Sequence, residues 1–194
     1  ENFLAQTARA YGLSEAPGVE LPAVFVGLVP DDAWKRNRLH DRWYQGETIS
    51  FAIGQGYLLV SPLQVLRMVA TFANHGSMPQ ATLLKGNGAK FRKVKMSPAT
   101  IETVRTAMRE VVQNDRGTGK YARVPFMEMG AKTGTAQNPV GKSHAWSAGF
   151  FPYEDPHYAM VTMIEHGGAG GLAAGTLTKE VVTDWKAKKG ARFV

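Results

Sequence analysis

Three strand-like segments follow one another so closely in the last third of the chain that few topologies remain open to it. They are Met129 to Gln137, Ser143 to Phe151 and His157 to His166, with turns at Pro139-Val140-Gly141 and Pro152-Tyr153-Glu154-Asp155-Pro156. A parallel crossover needs a dozen or more connecting residues, so these short turns predict antiparallel hairpins. Tyr158 to Ile164 is apolar on both faces. That pattern predicts an interior strand with helices on both sides.

The helices are signalled by their caps. Ser61-Pro62 and Ser97-Pro98 each pair an N-capping hydroxyl with a proline suited to the first helical position. After the first come Leu63, Leu66, Val69, Ala70 and Ala73, a stripe predicted to be buried and ended by Asn74-His75-Gly76. After the second, Ile101, Val104, Met108 and Val111 share one face, with Glu102, Arg105, Arg109 and Glu110 expected outside. Asn2 to Tyr11 reads as a further helix stopped by Gly12, and Leu172 to Lys188 as a last one facing inward through Leu177, Val181 and Trp185. Gln80 to Lys85 and Phe91 to Lys95 read as short strands around Gly86-Asn87-Gly88. Residues 23–47 show no clean period and read as an ordered surface excursion. The order of these elements predicts an α+β fold, an antiparallel sheet sandwiched between helical layers.

At 194 residues the chain is large enough for one good-sized core. Its 23 Lys+Arg against 16 Asp+Glu give a net charge of +7. The excess is spread over Lys35 to Arg38, Lys90 to Lys95 and Lys186 to Lys189, with no recognisable nucleic-acid module, so it reads as a solvated surface. There are no cysteines, which excludes a disulfide scaffold and cysteine-ligated zinc. The five histidines have no paired-ligand spacing. No cofactor is expected.

The richest chemistry lies in Gly130 to Gln137, where Lys132-Thr133-Gly134-Thr135 places an ammonium, two hydroxyls and a glycine together. On a strand, Lys132 and Gly134 share one face, and Thr133 and Thr135 the other. A cation, hydroxyls and accessible backbone suit an anionic, peptide-like ligand along the strand edge. Two other glycine motifs fare worse. Gly168-Ala169-Gly170-Gly171-Leu172-Ala173 satisfies the dinucleotide pattern, but no second parallel strand follows, so it reads as a strand-to-helix turn. Arg116-Gly117-Thr118-Gly119-Lys120 is an incomplete phosphate loop with no apolar strand before it.

K-T-G is one of three signatures of penicillin-binding proteins and class A β-lactamases, with S-x-x-K and S-D-N. The surroundings strengthen the likeness. Gly54-Gln55-Gly56 running into Ser61-Pro62-Leu63-Gln64, Gly18-Val19-Glu20-Leu21-Pro22, His144-Ala145-Trp146-Ser147-Ala148-Gly149-Phe150-Phe151-Pro152 and Gly167 to Gly171 all occur in the expected order. The chain resembles class B penicillin-binding proteins over nearly its whole length, especially their elongation-specific branch. No S-x-x-K and no S-x-N occurs in it. The resemblance therefore implies that residues 1–194 are the C-terminal portion of a transpeptidase domain, with an incomplete β-lactamase/transpeptidase-like fold. It implies peptidoglycan D,D-transpeptidation through a serine acyl-enzyme, with stem peptides and β-lactams as ligands. Lys132 and Thr135 would be catalytic, and Lys132, Thr133, Gly134 and Thr135 would bind substrate. This piece alone would be inactive for want of the serine and its lysine partner. It further implies the periplasmic face of the inner membrane, an N-terminal anchor, a membrane glycosyltransferase of the elongation machinery as partner, and a role in cell shape. A non-catalytic module recognising wall peptide or a partner protein stays open beside that reading.

Overall fold

The computed structural model describes residues 2–86, 88 and 90–189. Asn87, at the centre of one predicted turn, lies outside them. The helices are α1 (Asn2–Ala10), α2 (Asp32–Leu39), α3 (Gln45–Ala52), α4 (Pro62–Ala73), α5 (Pro98–Gln113) and α6 (Gly170–Lys189). The strands are β1 (Ser77–Pro79), β2 (Phe91–Lys93), β3 (Gly130–Ala136), β4 (His144–Phe151) and β5 (Tyr158–Ile164). Strands β3, β4 and β5 form an antiparallel meander in that order, with Gly130 opposite Phe150 and Phe151 opposite Tyr158. The α+β sandwich is as expected.

Strand alternation divides the sheet cleanly. Ala148, Phe150 and Val161 pack with Val69 and Ala73 of α4 and Met108 of α5. Ala131, Phe151, Tyr158 and Met160 pack with Val182 and Trp185 of α6. Both capping predictions hold: Ser61 Oγ accepts from Gln64 N–H (3.3 Å) and Ser97 Oγ from Thr100 N–H (3.0 Å).

Several expectations need correction. The interior strand is β4, and β5 is covered on both faces yet has one strand partner among the described residues. Its apolarity reflects the helices above and below it, which says nothing about lateral neighbours. In α6 the buried stripe is Ala174, Thr178 and Val182, whereas Leu177 and Val181 lie exposed. Small residues let the helix approach the sheet closely, and Thr178 and Thr162 share a buried hydroxyl bond of 2.8 Å. Trp185 packs as expected, its ring 4.3 Å from that of Tyr158.

Arg105, expected outside, is buried. Its guanidinium donates to the carbonyls of Phe72 (3.0 Å), Ala73 (3.2 Å) and Tyr153 (2.9 Å) and lies over the Phe150 ring. Likewise α4 buries Gln64, Arg67 and Thr71, while Leu63, Leu66 and Ala70 are only half-buried. Gln64 reaches the carbonyls of Glu15 (3.0 Å) and Val26 (2.8 Å), which pins the irregular segment after α1 to this helix. Sequence polarity concealed these positions because each polar head finds its partners only in the folded chain.

Residues 23–47, read as an ordered surface excursion without assigned elements, contain α2 and begin α3. Asp31 caps α2 by accepting from Trp34 N–H (2.7 Å). The Arg36 guanidinium and the Trp43 N–H hold the Asp32 carboxyl below its usual range. Lys35 is buried and pairs with Asp41 (3.1 Å) and Glu47 (2.6 Å), joining the two helices. A buried lysine erases the apolar period that normally announces a helix. The small hairpin also starts earlier than expected, at Ser77–Pro79 opposite Phe91–Lys93, because Met78 is drawn into the core beside Tyr11 and Val94.

Candidate functional site

Strand β3 brings Lys132, Thr133, Gly134 and Thr135 together on one side of the meander, and the expected alternation holds. Thr133 and Thr135 face α6. Thr135 Oγ1 accepts from Gly170 N–H (3.1 Å) at the start of that helix, and Thr133 Oγ1 shares a 2.8 Å bond with Thr118 Oγ1. Lys132 and Gly134 lie opposite, where Trp146 Cβ is 3.4 Å from the position a Gly134 Cβ would take.

The backbone of β3 has a free side among the described residues, since β4 is its one strand partner. On an antiparallel strand the N–H and C=O of one residue point the same way, and alternate residues point outward. The Thr135 carbonyl accepts from Gln55 Nε2 (3.3 Å), so Thr135 is an outward residue, and Thr133 is too. Lys132 curls over the same edge and donates to the Thr133 carbonyl (2.6 Å). The edge therefore offers two outward N–H groups, two carbonyls held by side-chain donors, an ammonium and two hydroxyls. This combination suits an extended peptide ending in a carboxylate.

Three further parts of the site escaped sequence reasoning: Gln55, Thr118 and Gly170. Thr118 stands in the loop read above as an incomplete phosphate loop. The loop forms the wall beside Thr133. It is held by Gly119 N–H donating to the Val111 carbonyl (2.8 Å). A Cβ on Gly117 would overlap that same carbonyl, so the tight return needs glycine there. The signal available in the sequence is shared: Gly54-Gln55-Gly56 and Gly117-Thr118-Gly119 each present one polar side chain between two glycines. His144 Nδ1 accepts from His166 N–H at 3.0 Å. No group of three or more metal-binding side chains occurs among the described residues.

Gly170 sets the spacing between α6 and β3. A Cβ there would overlap the Gly134 carbonyl oxygen and come within 2.8 Å of the Trp146 carbonyl oxygen. Gly170→Ala is expected to push the start of α6 off the strand and to destabilise the domain by about 1–3 kcal/mol, the usual range for forcing a methyl into packed surroundings. The Gly170 N–H to Thr135 Oγ1 bond should lengthen or break, and a crystal structure of the variant checks this. An unmoved α6 would contradict it.

An antiparallel meander between helical layers, whose outer strand carries K-T-G-T on an accessible edge, is the architecture expected of the transpeptidase fold. The comparisons agree. Residues 1–183 match the family described as "Penicillin binding protein transpeptidase domain", and the chain belongs to that family. Within it, the likeness runs to penicillin-binding protein 2. The chain is 35% identical over 206 residues to "Peptidoglycan D,D-transpeptidase MrdA" of Acinetobacter baumannii, covering 93% of this chain and 30% of that protein. It superposes with a TM-score of 0.88 and 35% identity on penicillin-binding protein PBP2 of Helicobacter pylori in complex with MreC, covering 97% of this chain and 36% of that one. It superposes at 0.83, also with 35% identity, on a chain from a peptidoglycan synthase complex that coordinates polymerization and crosslinking, covering 99% and 34%. The chain thus spans about a third of the length of these relatives.

Proposed function

We propose that this chain forms the substrate-aligning wall of a peptidoglycan D,D-transpeptidase. The observation that carries the reading is the outward edge of β3 at Thr133 and Thr135, bordered by Lys132 and by the two threonine hydroxyls. Membership of the transpeptidase family supports it. The remainder of the domain, supplying S-x-x-K and S-x-N, completes the site; neither motif occurs in these 194 residues.

In this scheme a serine Oγ attacks the penultimate D-alanyl carbonyl of a stem peptide. The C–N bond to the terminal D-alanine breaks, and an amine from a neighbouring stem resolves the ester as a new amide. The Thr135 N–H stabilises the oxyanion as one of two donors. The Thr133 and Thr135 hydroxyls bind the terminal carboxylate, Lys132 supplies positive potential to it and assists proton movement, and Gly134 lets the substrate backbone lie against the strand. A β-lactam follows the same path as far as the acyl-enzyme. We place the whole protein at the periplasmic face of the inner membrane, working with the elongation machinery and its membrane glycosyltransferase. The complexes in which its relatives were solved support protein partners of that kind. Among the described residues no helix is long and apolar enough to cross a membrane.

A fluorescent penicillin tests the reading. The full-length protein should be covalently labelled on the serine of S-x-x-K, and the 194-residue chain alone should not. Labelling of the isolated chain at any serine, or no labelling of the full-length protein, overturns it.

A further inference from the structure

The Thr135 carbonyl is the acceptor that an extended ligand pairing with β3 would take, yet a side chain of the same protein holds it. Gln55 Nε2 donates to it at 3.3 Å, across 80 residues of sequence. The bond is long, and Gln55 is half-buried, so a ligand can reach it. The backbone around Gln55 is fixed: its N–H donates to the Ser50 carbonyl (2.8 Å), and Gly54 N–H to the Phe51 carbonyl (2.9 Å). Gly54 and Gly56 adopt left-handed conformations, with φ of 76° and 74°. Nothing lies within 4 Å of where a Gly54 Cβ would stand. Rotation about the side-chain bonds of Gln55 is then enough to release the carbonyl, with the loop left in place. An uncovered strand edge also invites unwanted pairing, and a glutamine amide covers it with the group that a peptide would bring.

We infer that Gln55 is a built-in stand-in for the substrate amide. Its carboxamide N–H holds the Thr135 carbonyl when no peptide is bound and gives way when a ligand presents its own amide N–H. This rests on the transpeptidase reading of the β3 edge and adds a specificity-determining residue to it. Ligands with an amide to donate compete with Gln55 for the carbonyl and gain a bond in exchange. Ligands without one gain nothing by displacing it. Gln55 therefore sets how strongly the cleft distinguishes acylamino ligands from those lacking the group.

The test uses the full-length protein and two β-lactams: benzylpenicillin, which carries an acylamino N–H, and sulbactam, which has no such group. The readout is the ratio of their second-order acylation rate constants. Gln55→Met keeps the length of the side chain and removes the donor. The benzylpenicillin-to-sulbactam ratio should rise about threefold to tenfold, the factor associated with one neutral hydrogen bond. Gln55→Glu also removes the donor and should shift the ratio in the same direction, which separates the effect from any misfolding peculiar to one variant. An unchanged or lower ratio in both variants, with the wild type acylated normally, overturns the inference and leaves the transpeptidase reading standing. A wild type acylated by neither compound removes both.

Discussion

Lys132→Ala in the full-length protein is expected to slow acylation by a fluorescent penicillin about 100-fold to 1,000-fold, the range seen when one preorganised electrostatic group is lost. Thermal stability should change little. The Lys132 side chain is exposed, and its hydrogen bond goes to the carbonyl of its own neighbour, Thr133, at 2.6 Å, so no core packing depends on it. Removing it also strips positive potential from the edge at which the ligand carboxylate is proposed to sit. Lys132→Arg keeps the charge but replaces a compact ammonium with a planar fork, so it should recover only part of the rate. Stopped-flow or gel-based labelling measures both variants. A loss of tenfold or less would remove Lys132 from the proposed machinery and leave the strand edge as a binding feature.

The second large effect concerns Arg105→Met, which should destabilise the domain by about 3–5 kcal/mol, as expected when several buried carbonyls lose a charged donor at once. The Arg105 guanidinium ties α5 to the end of α4 through the Phe72 and Ala73 carbonyls and to the turn after β4 through the Tyr153 carbonyl. Methionine fills much of the volume and donates no hydrogen bond, so those buried oxygens lose their shared donor. Urea denaturation of the full-length protein, at unchanged m-value, measures the loss. A change below about 1 kcal/mol would mean that other donors or water satisfy those carbonyls. By its sequence position Arg105 belongs to an ordinary solvent face.

That contrast marks what was legible. Capping is local: Ser61 and Ser97 satisfy N–H groups three residues ahead, so α4 and α5 announce themselves without the rest of the chain. Turn length is local too, and it forced β3, β4 and β5 into an antiparallel meander. The two faces of Lys132-Thr133-Gly134-Thr135 followed from strand alternation alone. Helix α2 was missed because Lys35 is buried against Asp41 and Glu47, which inverts the usual meaning of charge in a helical pattern. The inward face of α6 was misplaced because Ala174 and Thr178 permit a closer approach to the sheet than Leu177 and Val181 would.

The sequence by itself determined helices α1, α4, α5 and α6, the antiparallel meander and the residue types of the β3 edge, because caps, turns and alternation act over a few residues. Only the tertiary structure decided what meets that edge. Gln55 and Thr118 reach β3 from 80 and 15 residues away, and Gly170 reaches it from the far side of the meander. Each is a small or polar residue whose role is fixed by the atom it happens to face. Contacts between distant segments depend on how helices and sheet pack, and no spacing within one segment records them.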